Sequence, residues 1–395
     1  MSEWKEYKLG EIANVQTGPF GSQLHQSDYV DVGIPSIMPI NIGDRMNIST
    51  GKIVFITKED AIRLSRYRVK EGDIVYSRRG DVEKCAYIGK AESGWLCGTG
   101  CLRISIDSSK ADSKFIAYYL STEDMKSWIS NNAVGTTMPN LNSSILQQVP
   151  LSMPSLDEQK RIASILSSLD DKIDLLNCEN ATLEAMAETL FRQWFIEETK
   201  GDWEEGTVST FAEHYKESVN PQKHPSTMFY HYSIPAFDNS RRPTLEIGES
   251  IQSNKYVIPQ DCILFSKLNP HKDKRIWLML DDIPKNAICS TEFQIIKPKE
   301  KEYLYFLYGW LTNNDNYEEI ASGVGGTSGS HQRIDPKSIF TFVCPRIDTT
   351  LIQKYNKVVD PIFYKQKENQ KQIISLMEQR NILLPKLMSN EIKVL

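Results

Sequence analysis

From residue 157 onward, apolar side chains fall at Ile162, Leu166, Leu169, Ile173, Leu176, Leu183, Ala187, Leu190 and Trp194, with Asn180 in the same series. The steps alternate between four and three without a break, the spacing of a coiled-coil seam along one long helix. A second series runs through Ile352, Tyr355, Val359, Ile362, Gln366, Asn369, Ile373, Leu376, Arg380, Leu383 and Leu387. Asp157, just after the break at Pro154, is the expected N-cap of the first helix. In the second, Asp360-Pro361 is an expected kink or restart, because proline donates no backbone hydrogen bond. Asn180, Gln366, Asn369 and Arg380 are polar intrusions into the seams. Three readings of them stand open: a wet stretch facing solvent, a buried amide pair that fixes helix register, or a contact to a partner protein.

The remaining text is mixed α and β. Strands are predicted at Lys52–Thr57, Asp73–Ser77 and Leu102–Ile106, and helices at Lys114–Ser130 and Tyr303–Thr312. This text occurs twice. WKEYKLGEIA (4–13) is echoed by WEEGTVSTFA (203–212), and YRVKEGDIVYSR (67–78) aligns without a gap with YVIPQDCILFSK (256–267). CGTGCLRISI (97–106) matches CSTEFQIIKP (289–298) after a slip, and KFIAYYLS (114–121) parallels EYLYFLYG (302–309). Each half then has a Gly/Thr-rich loop and an apolar strand ending in proline, at Pro154 and Pro345. Six matches in one order, offset by roughly 190 residues, are the mark of an internal duplication. The predicted organisation is α+β, with similar domains at 1–155 and 200–345 and long helices at 156–199 and 346–395. Antiparallel packing of those helices would give the chain a pseudo-twofold repeat.

Charge sharpens this picture. The net charge of −5 over 395 residues rules out a uniformly basic nucleic-acid binder. Residues 156–199 carry 4 basic and 10 acidic side chains, whereas residues 346–395 carry 9 and 5. Helices of opposite sign suit each other as packing partners. No apolar run approaches a membrane span, and the N-terminus has no signal-peptide core, so a cytoplasmic protein is expected. The seven cysteines are scattered and odd in number, as reduced core thiols are. Only Cys97 and Cys101 lie close, without the second Cys/His pair that zinc needs, so no metal is expected.

Enzyme signatures are missing from the text. It has no Walker A, HExxH, G-x-S-x-G, or deaminase motif. The Asp/Asn-Pro-Pro-aromatic tetrad of adenine methyltransferases is absent too. What remains is a set of loops rich in hydrogen-bonding groups. The first half offers Gly18, Phe20, Ser22, Gln23, Asn41, Ser77, Arg78, Arg79, Thr99, Thr136, Thr137 and Asn140. The second offers Ser266, Lys267, Asn269, His271, Lys272, Lys274, Arg275, Thr327, Ser328, His331, Gln332 and Arg333. Arg and Lys suit guanine edges and phosphates, Asn and Gln suit adenine, and hydroxyls suit phosphate. Any one such loop reads equally as a solvated turn; their recurrence at matching positions favours nucleic-acid contact.

WKEYKLGEIA with TGPFGSQ, GDIVYSRRG, PLSMPSLDEQKRIASILSSLDDKI, SKLNPHKDKRIW and RNILLPKLMSNEI together resemble the Type I restriction–modification specificity-subunit family across essentially the whole chain. One departure is that RIDTTLIQ after Pro345 has no counterpart of Glu158-Gln159. The resemblance implies two target recognition domains, each reading half of a split, asymmetric site in double-stranded DNA. It also implies spacer helices that pair through Ile162, Leu166, Leu169, Ile173, Leu176, Asn180, Leu183, Leu190, Val359, Ile362, Ile373, Leu376, Leu383 and Leu387. On these helices two modification subunits would dock. S-adenosylmethionine would sit on those subunits, and ATP and Mg on the partners including restriction subunits; no cofactor is expected on this chain. The alternatives from other classes are a DNA-binding scaffold of another methyltransferase or restriction assembly, a fused nuclease or methyltransferase, and a protein–protein scaffold.

Overall fold

A computed structural model describes residues 4–135, 139–197, 203–323 and 332–394. The chain forms two compact units, Met1–Leu175 with Gln372–Leu395, and Leu176–Lys371. The division falls in the middle of both long helices, so each unit owns part of each helix.

In the first unit, Ala13–Thr17, Cys101–Ile106, Ile74–Ser77 and Cys85–Tyr87 form one antiparallel sheet in that spatial order. A second sheet orders Tyr29–Val30, Val54–Ile56, Ile34–Ile37 and Leu96–Cys97, with the last two strands parallel. The second unit repeats this wiring. Ala212–Tyr215, Phe293–Pro298, Cys262–Ser266 and Ile276–Met279 form the antiparallel sheet. Its other sheet again contains a parallel pair, Met228–Tyr232 beside Ala287–Cys289, and adds an edge strand, Thr244–Ile247. The apolar alternation of these strands buries one set of side chains against a following helix. Ser113–Leu120, capped by Asp112 Oδ1 accepting from Phe115 N at 2.9 Å, packs Phe115 and Ile116 against Ile74, Tyr76 and Ile104. Leu304–Thr312 packs Phe306 and Leu307 against Ile263, Phe265 and Ile296.

The central helix runs Leu156–Arg192 and continues as a π-helical turn to Glu197; the distal helix runs Thr349–Met388. Every position of both predicted seams is buried or half-buried. In the first unit Ile162, Ala163 and Leu166 share a core with Leu384, Leu387 and Met388. In the second, Ala187, Phe191 and Phe195 share one with Ile352, Tyr355 and Val359. There the helices are antiparallel, since Asn180 meets Asn369 while Phe195 stacks edge-on against Tyr355 at 4.9 Å.

The polar seam positions pair across the helices. Asn369 is fully buried, and its Nδ2 donates to Asn180 Oδ1 at 3.0 Å and to Glu179 Oε2 at 2.9 Å. Gln366 Nε2 donates to the Asn180 carbonyl at 3.1 Å. In the first unit Arg380 lies 2.8 Å from Asp170, which also accepts from Tyr118 Oη at 2.7 Å.

Three local expectations change. The central helix begins at Leu156, so Asp157 sits in its first turn beside Glu158, where acids complement the helix dipole, and not at the cap. The distal helix does not restart at Pro361 but runs through it as one element; Ile362 and Phe363 are buried beside it, and Asp360 accepts from Tyr305 Oη at 2.7 Å. The predicted helix 114–130 is two, Ser113–Leu120 and Glu123–Asn132, separated where Ser121 and Thr122 hydroxyls donate to the carbonyls of Tyr118 and Tyr119.

Candidate nucleic-acid interface

The strand Ile74–Ser77 ends in a buried serine and delivers Arg78 to the surface. Two neighbours hold the Arg78 backbone: its N–H donates to Gly100 O at 2.8 Å, and its carbonyl accepts from Leu141 N at 2.8 Å. One residue on, Arg79 bridges to Asn140. Ser77 Oγ donates back to Arg79 O at 3.1 Å and fixes the turn. The loop after the first strand closes over this point. Gly18 N donates to Cys101 O at 2.9 Å, and any Cβ on Gly18 would lie 2.2 Å from the Gly98 carbonyl oxygen, so only glycine fits. That approach sets Phe20, half-exposed, under the Arg78 guanidinium at 5.3 Å. Among the described residues Arg78 Nε is buried without a hydrogen-bond partner.

The second unit builds the same cradle from different side chains. Lys267 follows the buried Ser266; its N–H donates to Glu292 O at 2.9 Å and its carbonyl accepts from Ile334 N at 3.1 Å. Leu268 bridges to Arg333 as Arg79 does to Asn140. Asn269, in the left-handed region at φ 48°, donates its N–H to Gln332 O at 2.8 Å. Arg333 lies along Glu292, Nε to Oε2 at 3.0 Å and Nη2 to Oε1 at 2.8 Å. No hydrogen bond or ion pair among the described residues uses the Lys267 ammonium, whose pKa is lowered by burial and by Arg333 and Lys216, against the pull of Glu292. Nearby His214, stacked on Phe340 at 5.3 Å, is lowered to about 4 by burial and by Lys216 and Lys267.

The predicted residues separate into groups. The structure gathers Gly18, Phe20, Arg78, Arg79, Thr99 and Asn140 in the first unit, and Lys267, Asn269, Gln332 and Arg333 in the second. Ser22 is exposed on the loop beyond Phe20, and His271 and Lys272 are exposed on the turn beyond Asn269. Ser77 and Ser266 are buried and structural. Other polar groups are used inside the fold. Asn41 is buried, its Oδ1 accepting from Met38 N and its Nδ2 donating to Ser49 O. Gln23 Oε1 accepts from Tyr67 Oη at 2.7 Å. Lys274 Nζ donates to Thr312 O and Asn314 Oδ1, and Arg275 is held bidentately by Asp238 at 2.6 and 2.9 Å. Thr136, Thr137, Thr327, Ser328 and His331 lie outside the described residues. Glu292 was not foreseen, although aligning 97–106 with 289–298 already sets it opposite Gly100.

Among the described residues no cluster of three metal-ligating side chains occurs. Cys97 and Cys101 are free and buried, which pushes the Cys97 thiol up to about 12. No described helix is long and apolar enough to cross a membrane.

A duplicated α+β unit with matching loop cradles and paired seam helices defines a class of modular recognition protein. Residues 1–185 match the Type I restriction modification DNA specificity domain. The chain is 25% identical over 433 residues to the MjaIX specificity subunit of Methanocaldococcus jannaschii, spanning 99% of this chain and 94% of the relative. It is 26% identical to the HindI specificity subunit of Haemophilus influenzae over 50% of this chain and 42% of the relative. The crystal structure of a Type-I restriction-modification S subunit from M. genitalium has the same fold, with a TM-score of 0.60 at 17% identity over 97% of this chain and 96% of that one. The chain is thus similar to Type I restriction enzyme specificity subunits over essentially its whole length, and the specificity-domain match falls on its first half.

Proposed function

We propose that this chain is the DNA sequence-specificity subunit of a Type I restriction–modification complex and carries no catalysis of its own. Residues 1–155 and 200–345 each read one half of a bipartite, asymmetric site. Residues 156–199 and 346–395 set the gap and dock two modification subunits. Adenine methylation, S-adenosylmethionine, ATP and Mg belong to partner subunits, and the complex acts in the cytoplasm.

The observation that carries this reading is the repeated cradle. Arg78 and Lys267 occupy equivalent positions after equivalent strands, each with a backbone fixed on both sides and donor capacity left unused within the described fold. Fixed backbone with free donors suits hydrogen bonding to base edges or phosphate. Different surroundings of the two cations suit different half-sites. The 37-residue central helix, about 55 Å long at 1.5 Å per residue, exceeds one turn of DNA, about 34–36 Å.

Selection from random duplex DNA by the chain with its modification subunits tests the proposal. The expected product is a motif of two unlike elements separated by a fixed gap. Recovery of no sequence preference, or methyl transfer by the chain alone from labelled S-adenosylmethionine, would overturn it.

A further inference from the structure

Glu292 and Arg333 lie 41 residues apart in sequence and meet beside Lys267 through two short contacts, 3.0 and 2.8 Å. Each carboxylate oxygen of Glu292 takes one bond of this fork, so the carboxylate is turned toward the arginine. Arg333 is in the opposite state. Its Nε–H and one Nη2–H point at Glu292, which leaves the second Nη2–H and the Nη1 hydrogens along the far edge of the guanidinium. The arginine side chain is about half exposed, at 52%, while Glu292 is at 27%, so the free edge faces outward from a more buried anchor. Its backbone is also tied, through the bridge to Leu268 and the bond from Ile334 N to Lys267 O at 3.1 Å.

An arginine pinned at one edge and on its backbone presents two parallel donors in a fixed plane. Guanine alone among the bases offers two adjacent acceptors, O6 and N7, in the major groove. Adenine offers one acceptor beside a donor, which would oppose one of the guanidinium hydrogens. We infer that the second unit reads a guanine in its half-site through Arg333, with Glu292 acting as the positioning residue that holds the guanidinium edge-on.

Lys267 supports the assignment, since an ammonium with no partner among the described residues, beside a second cation, calls for an acceptor-rich edge. Among its described residues the first unit has no equivalent device, because Gly100 stands where Glu292 does and Asn140 where Arg333 does. This inference rests on the DNA-reading function proposed above.

The test uses the chain assembled with its modification subunits, after DNA selection has given its bipartite site. The Lys267→Ala variant identifies the half-site that belongs to the second unit. Each guanine of that half is then replaced by 7-deazaguanine, which pairs normally but lacks the N7 acceptor. One replacement should weaken binding by about 5- to 150-fold, the range of a good bidentate base contact. Arg333→Ala should bind the normal and substituted DNA alike. Glu292→Gln should lose most of the discrimination, and Glu292→Asp should keep part of it, while all three variants retain the preference for the first half-site.

A half-site without guanine, or 7-deazaguanine sensitivity that survives in Arg333→Ala, overturns the inference. So does a uniform loss of affinity in Arg333→Ala with a salt slope smaller by about one, because that marks a phosphate contact. If no bipartite site is selected at all, it is the DNA-reading function itself that fails.

Discussion

The two units share one backbone plan and fill it with opposite chemistry. In the first, a glycine-rich turn admits the loop that slides Phe20 beneath Arg78, and the cation rests on an aromatic face. In the second, Glu292 occupies the corresponding turn and pairs with Arg333, while Lys267, the counterpart of Arg78, has no ion-pair partner among the described residues. The seams differ too, with the ion pair now in the first unit. The first unit uses an ion pair, Asp170 with Arg380, and the second a cluster of amides around Asn369. Backbone hydrogen bonds carry the plan, so side chains can diverge without disturbing it. On the proposed function, duplicated domains that read unlike half-sites need that separation of roles.

The largest effect should come from the first seam. Arg380→Met removes the cation beside Asp170 in a site where both side chains are nearly buried, at 11% and 14% exposure. Loss of one buried partner costs about 3–5 kcal/mol, whereas the double variant Asp170→Leu/Arg380→Met should recover most of it. Thermal melting of the three proteins checks this; a double variant no better than the single would show that the pair is not the source.

Next in size is Gly18→Val, which forces the loop off the Gly98 carbonyl at a cost of about 1–3 kcal/mol. It should weaken recognition of the first half-site only. Equal weakening of both halves in a DNA selection would break the independence of the two cradles. A smaller loss is expected for Asn369→Leu. The change takes the Nδ2 donor from Asn180 and Glu179, but it also removes a buried Oδ1 without a partner among the described residues, so the net loss in thermal melting should stay below the roughly 1–3 kcal/mol of leaving a satisfied group unpaired.

The smallest effect is a pH dependence confined to the second unit. His214 keeps a pKa near 4 in the fold against 6.5 unfolded, so between these values the unfolded chain binds the extra proton. Its contribution is therefore present above pH 6.5 and is lost as pH falls toward 4. His214→Phe retains the stack on Phe340 and should flatten the fall in melting temperature across that window. An identical slope in both proteins would place the dependence elsewhere.

Much of this architecture was legible in the sequence. Spacing alone determines which faces of a long helix can meet, so all seam positions were readable, and opposite charge named the partner. The repeat showed that Arg78 and Lys267 are equivalent. What was not legible depends on contacts between distant segments. Arg275 looked free for DNA, yet Asp238, 37 residues upstream, holds it inside the unit. Asn41 looked like an adenine reader and is consumed by the backbone of its own turn. Helix ends were displaced because caps depend on backbone geometry that residue type only biases.

The central claim is that two equivalent cradles each govern one half of the site. The most direct test maps the preferred DNA of the assembled complex for the parent chain, Arg78→Ala and Lys267→Ala. Each variant should lose about 1–3 kcal/mol of base discrimination at positions within a single half-site, a different half for each, with the gap unchanged. Loss spread over both halves in either variant, or at the same half in both, would contradict the account.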